Sequence, residues 1–318
     1  MADIDLTGVF PAMTTPFTPD GRVDHEQLRA DAARLAGAGV DGLVPVGSTG
    51  ESATLTHDEH VAVVETVVDA VDLPVIAGAG SNSTREAVSL SRRAAEAGAD
   101  GLLLISPYYN RPEQAGLLDH YRTVADAVDL PQVVYNVPSR TGRSLDPDTV
   151  VALAAHRNVA GYKAASGDAG LISEVIERTR DAAFRVLSGD DGMTLPVLSM
   201  GGTGVVSVVA NVEPRRTVGM VRAALEGDYD RARALHHELG PLVRALFAES
   251  NPAPVKEAMA HRGLGPATLR PPLTPPSEAN AGRLAAVLDD LAASDTTAGD
   301  GGRERTREDE CADGEVDA

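Results

Sequence analysis

Lysine is nearly absent from these 318 residues: Lys163 and Lys256 stand against 26 arginines. Tryptophan is missing and the single cysteine is Cys311, which excludes an intrachain disulfide framework and a cysteine-based metal site. Positive charge is scarce overall, with 28 Lys and Arg against 47 Asp and Glu and a net charge of −19. No basic face is available to displace counterions from phosphates, so a nucleic-acid partner is excluded. An acid-rich, lysine-poor surface instead suits a halophilic protein kept soluble in concentrated salt, where self-repulsion is screened. Long apolar runs are lacking too. None approaches the roughly 18 residues of a membrane span, and "MADIDLTGVFPAM" has neither the basic nor the apolar region of a secretory signal. A soluble, cytoplasmic protein with no membrane partner is expected.

What is present is repetition. Short runs rich in valine, isoleucine and leucine recur at 8–14, 42–46, 74–78, 101–106, 132–137, 159–163, 184–188 and 204–209. Between them lie segments of helical period such as "DHEQLRADAARLAGAG" and "STREAVSLSRRAAEAGAD". The runs do not alternate in polarity, which suits parallel strands buried on both faces. Eight such units predict an α/β (β/α)8 barrel, a TIM barrel, over residues 1–212. Thr56, Thr84 and Asp146 stand at expected N-caps, and Gly39 and Gly98 where helices should stop. Residues 213–293 read as a C-terminal helical extension, and 294–318 as a disordered acidic tail.

In such barrels the chemistry sits where the strands end. Lys163 closes the sixth run in "GYKAASGD". Buried in a barrel mouth, an amine loses its proton more easily and can form a Schiff base with a keto substrate, which arginine cannot do. Lys256, within a helix after "NPAP", reads as structural. Tyr135 closes the fifth run and falls within reach of Lys163 as a proton shuttle, or packs as a hydrogen-bonded core tyrosine. Arg140, in the same "YNVPSRTG" loop, offers a bidentate grip on a carboxylate, or a solvated charge. The loop "GSTGES" presents backbone N–H groups and the hydroxyls of Ser48 and Thr49 to a carboxylate or phosphate. Tyr108 and Tyr109 stand at the mouth in "ISPYYNRP", for function or for stacking at an interface. Asp190 and Asp191 in "SGDD" would repel a phosphate, which favours an unphosphorylated substrate. His57 and His60 lack further ligands, so no metal site is expected. "GAGSNS" does not complete a dinucleotide fingerprint, and imine chemistry needs no cofactor.

"GSTGES", "PYYNRP", "YNVPSRTG", "GYKAASGD", "GGTGVVSVVANV" and "NPAPVKEA" occur in the order and approximate spacing of the pyruvate-dependent class I aldolase and N-acetylneuraminate lyase superfamily. Over residues 6–292 the chain resembles its dihydrodipicolinate synthase branch. The resemblance implies a lyase that condenses pyruvate with L-aspartate 4-semialdehyde, at the entry of the diaminopimelate route to lysine. It implies an imine on Lys163, and a proton shuttle at Tyr135 linked through Thr49 to Tyr109 of a neighbouring chain. Arg140 would hold the semialdehyde carboxylate, Ser48 and Thr49 the pyruvate carboxylate, and Val206 would lie near the pyruvate. It further implies a homotetramer built as a pair of tight dimers, with Tyr108 stacked at the tight interface. Ser52, Ala53, His57, His60, Asn82, Glu86 and Tyr108 match the site where lysine binds some members as a feedback inhibitor. Two positions depart from the pattern. Ala164 replaces an acidic residue after the lysine, at a position that faces the helices rather than the barrel interior. Ser48 replaces the commoner threonine and retains the hydroxyl. A 2-keto-3-deoxy sugar-acid aldolase, and a ligand-responsive binding protein without turnover, are the alternatives on the same residues.

Overall fold

The structure, a computed structural model, describes residues 4–300, with side chains described to residue 294. Seven parallel strands form one sheet: β1 (Gly8–Pro11), β2 (Ile76–Gly78), β3 (Gly101–Ile105), β4 (Gln132–Asn136), β5 (Val159–Ala164), β6 (Arg185–Ser188) and β7 (Gly204–Ser207). Their order is β1-β7-β6-β5-β4-β3-β2. The remaining expected run, 42–46, is the stave that joins the two ends of this sheet. It bridges Ala12 to Val44 on one side and Leu43 to Val75 on the other. The Val44 N–H donates to Pro11 O at 2.9 Å, and the Ile76 N–H to Leu43 O at 2.9 Å. The run stops short of a regular strand because Pro45 has no N–H to give and Val46 turns into the left-handed region at φ 49°. The barrel is therefore closed, with a seam of irregular pairing at 42–46.

Alternation along each strand sorts the side chains into two cores. Phe10, Leu103, Val133, Tyr135, Leu187 and Val206 fill the barrel interior. Val134, Tyr162, Ala164, Val186 and Val205 face outward into the layer beneath the helices. Each fully buried Leu, Val or Phe contributes roughly 1.5–3 kcal/mol, so the two layers dominate stability. On β5 the rule places Tyr162 and Ala164 outside and Lys163 inside. Ala164 is buried in the outer layer, in agreement with the outward orientation read from the sequence. The Tyr162 hydroxyl accepts from Asn136 Nδ2 at 2.8 Å, which satisfies the one polar group that its burial would strand.

The helices start and stop for local reasons. Thr56 caps His57–Val68 in a reciprocal capping box with Glu59. The next helix, Thr84–Glu96, is one residue out of step with expectation: Ser83 holds the N-cap position, and the Thr84 hydroxyl pairs with His120 Nδ1 at 2.9 Å instead. Gly39 and Gly98, at φ 84° and 91°, supply the left-handed residues that end their helices. The helix after β7, Pro214–Leu225, packs against β1 and completes the eighth βα unit; beyond it Tyr229–Leu246 and Ala253–His261 are helical, and Glu278–Asp300 runs past position 294, where the sequence suggests a tail begins. Residues 301–318, Cys311 among them, lie outside the described residues. Among the described residues no helix is long and apolar enough to cross a membrane.

The seam yields a test. A Cβ at Gly78 would fall 2.3 Å from the carbonyl oxygen of Val46, whereas one at Gly37, within a helix, would meet nothing within 4 Å. Gly78→Ala should cost about 1–3 kcal/mol in chemical denaturation, and Gly37→Ala should leave stability equal or higher by about 0.5–1 kcal/mol. Equal effects of the two substitutions would contradict the tight seam.

Candidate active site

Strand register places Tyr135, Lys163 and Leu187 side by side on β4, β5 and β6. Tyr135 and Lys163 both point inward at the carboxyl ends of their strands, at the foot of a cavity of about 700 Å³ roofed by the C-terminal helices. The lysine stem packs on Gly189, where a Cβ would stand 2.8 Å from its Cγ. Its Nζ lies 4.1 Å from the centroid of the Tyr135 ring. Lys163 is 6% exposed, and burial pulls its pKa down to about 7, with Asp191 opposing the shift and Arg140 reinforcing it. Near neutral pH a large share of Lys163 is therefore the free amine, the form that attacks a carbonyl carbon.

Asp191, on the turn after β6, is itself buried. Its carboxylate accepts from the Ser207 hydroxyl, from Val208 N at 2.9 Å and from Val209 N at 3.3 Å, so it ties the ends of β6 and β7 together. Burial raises its pKa to about 6 despite these donors. Asp190 lines the cavity, and its carboxylate accepts from Gly192 N at 2.9 Å.

The remaining polar groups form a chain across the cavity. Burial pushes the Tyr135 phenol pKa up, while the nearby Arg140 guanidinium and Ser48 hydroxyl act the other way. Asn251 Nδ2 donates to Thr49 Oγ1 at 2.9 Å, which leaves the Thr49 hydroxyl hydrogen free to point elsewhere. Arg140, on the short helix Pro138–Thr141, donates through Nη2 to the Asn251 carbonyl at 2.9 Å. Asn251 thus links the two cavity walls from a position 202 residues beyond Thr49. Asn251 opens the "NPAPVKEA" motif, but no local pattern signals a contact at that separation. Val206 lies in the interior layer, and Val208, two residues on, lines the cavity. Tyr109 is not brought to the site within one chain. It is 87% exposed, with a left-handed φ of 74°.

A second cavity of about 350 Å³ opens on the far side of the "GSTGES" loop and shares Ser48, Tyr135 and Arg140 with the first. Ser52, Ala53, His57, His60, Glu86 and Tyr108 line it; Asn82 does not, and Ser81 takes a place on its wall. Glu86 pairs with His57 Nε2 at 3.0 Å and accepts from the Ser81 hydroxyl. Burial lowers the His60 pKa to about 4, so the ring is neutral and gives its Nε2 hydrogen to Gly78 O at 2.7 Å. No group of three or more metal-ligating side chains is assembled among the described residues.

With this geometry in view, the chain matches the model of the dihydrodipicolinate synthetase family over residues 5–291. It belongs to that family. It is 68% identical over 296 residues to the 4-hydroxy-tetrahydrodipicolinate synthase of Haloarcula marismortui, covering 93% of this chain and 97% of the relative. The solved dihydrodipicolinate synthase from Aquifex aeolicus is similar at a TM-score of 0.88 and 43% identity, over 90% of this chain and 98% of that one. That of Cyanidioschyzon merolae, solved with lysine bound, is similar at 0.85 and 37%, again over 90% and 98%. The family resemblance drawn from the motifs thus holds across nearly all of the described residues, and the closed (β/α)8 barrel with it.

The lysine environment yields a pH test. Imine formation with a 2-keto acid, trapped with borohydride, should rise through a midpoint near pH 7 as Lys163 loses its proton and level off above it. Asp191→Asn removes a charge that favours the protonated amine, so its midpoint should lie at lower pH. A profile that climbs only towards the ordinary lysine range, near pH 10.4, would contradict the buried-amine account.

Proposed function

We propose that this chain is a cofactor-free synthase that condenses pyruvate with L-aspartate 4-semialdehyde to 4-hydroxy-tetrahydrodipicolinate, the entry step of the diaminopimelate route to lysine. The observation that carries the reading is Lys163, a buried amine of pKa about 7 beneath a cavity whose wall bears Tyr135, Ser48, Thr49 and Arg140. The Lys163 amine attacks C2 of pyruvate, and the carbinolamine oxygen leaves as water after taking a proton through Tyr135. Loss of a C3 proton gives the enamine, whose C3 attacks the aldehyde carbon of the second substrate while the aldehyde oxygen takes up a proton. The substrate amine then attacks the imine carbon, closes the ring and expels Lys163 as the free amine. One water is released overall. Tyr135 moves the protons because it sits beside the lysine on a cavity wall that it shares with Ser48. Ser48 and Thr49 receive the pyruvate carboxylate, and Arg140 that of the semialdehyde. Val206 shapes the cavity floor from below.

We place the enzyme in the cytoplasm as a homotetramer, a pair of tight dimers. Support comes from Tyr109, whose exposed ring and left-handed backbone fit a residue held by a second chain, where it would extend the relay through Thr49 to Tyr135. Tyr108 would stack at the same tight interface. The second cavity supports a lysine site: Glu86 offers a carboxylate to an ammonium group, and the relative from Cyanidioschyzon merolae was solved with lysine bound. Asn82 belongs to this proposed site through the loop that carries Ser81.

Two experiments test the reading. Borohydride with pyruvate should mark Lys163 and leave Lys256 unmodified on peptide mapping. Steady-state turnover of pyruvate plus semialdehyde in molar salt should exceed cleavage of 2-keto-3-deoxygluconate by about a hundredfold, roughly 2.7 kcal/mol of transition-state preference. Dominant sugar-acid cleavage would move the enzyme into sugar catabolism, and a ligand-bound protein without product would make it a binding protein. Titrating L-lysine should lower the rate, less so in Glu86→Gln; rates unaltered to millimolar concentration would remove the feedback site.

A further inference from the structure

The second lysine poses the same question as the first: why it persists in a chain that otherwise uses arginine. Lys256 is 3% exposed and lies on the helix Ala253–His261. Its Nζ pairs with a carboxylate oxygen of Glu51, donates to Thr268 O at 2.8 Å, and sits 4.2 Å from the centroid of the Phe17 ring. Two acceptors and one aromatic face match the three donors of an ammonium. An arginine would bring five N–H groups into the same space and leave donors buried without partners. Burial lowers the Lys256 pKa, with Glu51 opposing. The other Glu51 oxygen accepts from the backbone N–H of Arg270 at 3.1 Å, so both arms of the carboxylate are held by the C-terminal segment.

Glu51 is the fifth residue of "GSTGES" and stands in the left-handed region at φ 54°, a conformation that costs a residue with a side chain free energy and persists only where its surroundings enforce it. Two and three residues before it stand Thr49 and Ser48. The loop is pinned from the barrel side as well, where the Thr15 hydroxyl donates to Gly50 O at 2.7 Å. The C-terminal segment therefore grips this loop twice, through Asn251 on Thr49 and through Lys256 and Arg270 on Glu51.

We propose that the buried Glu51–Lys256 pair is a positioning pair for the anion-binding loop, setting the Ser48 and Thr49 hydroxyls for the carboxylate of the 2-keto acid. It touches no reacting atom. The inference rests on the placement of the pyruvate carboxylate at Ser48 and Thr49. Removing one partner leaves a buried charge unpaired and threatens the fold, whereas removing both spares it. The decisive variant is therefore Glu51→Gln combined with Lys256→Met in the full chain. It should fold, as read by circular dichroism, and still be trapped at Lys163 by borohydride at saturating pyruvate. Its KM for pyruvate should rise about tenfold or more, with a smaller change in kcat and in KM for the semialdehyde. Lys256→Arg should not preserve the wild-type KM. Should the double variant fail to fold, Phe17→Leu keeps both charges but removes the ring beneath Nζ, and the pyruvate KM should still rise. A folded double variant with wild-type pyruvate KM overturns the proposal, as does an unchanged KM in Phe17→Leu. If the wild-type chain forms no pyruvate adduct at all, the functional reading fails instead.

Discussion

The removal of one amine from water organises this site. An ammonium in a low-dielectric barrel mouth loses solvation that its neighbours do not replace, so the proton becomes easy to remove. Asp191 moderates the effect from the turn after β6, and Arg140 adds to it. The barrel supplies what the effect needs: parallel strands that bring side chains to one end, alternation that turns Lys163 inward, and helices that close the mouth. A lysine on the outer face of β5 would lie in the layer beneath the helices, away from the cavity.

A second consequence follows from composition. Arginine holds its charge under all ordinary conditions and carries five donors in a rigid fork. That suits the ion pairs this acidic chain makes at its surface, such as Arg93 with Asp58 and Arg178 with Asp148. It does not suit a buried pocket with few acceptors or a step that needs a neutral amine. Both lysines are buried, one at the foot of the cavity with its pKa lowered and one paired with Glu51. Reduction of lysine to these two positions is thus informative in a way that a lysine-rich chain could not be.

Much of this was legible in the sequence. The runs that became strands were visible because strands buried on both faces are apolar throughout, and their spacing with helical segments left one closed arrangement. Lys163, Tyr135, Ser48, Thr49 and Arg140 stand out in the sequence because barrels keep their chemistry at strand ends, and the structure brings all five to one cavity. The seam at 42–46 was read as a strand because a proline in a short run looks like any other break until the ladder is drawn. Asn251 and the tie between Asp191 and Ser207 depend on which distant segments meet, which local pattern does not encode. A finer limit lies within one strand end or loop, where residue type alone does not encode that Val208 and Ser81 reach the cavity walls beside Val206 and Asn82.

The scarcity of lysine also makes the central claim directly measurable. Protein labelled with ¹⁵N at lysine Nζ should give two side-chain resonances, assigned by Lys163→Met. The signal lost in that variant should titrate with a midpoint near pH 7 in the wild-type protein. A midpoint near 10.4, the value of a lysine in water, would mean that the barrel mouth solvates the ammonium after all, and that the basis for imine chemistry at neutral pH is wrong.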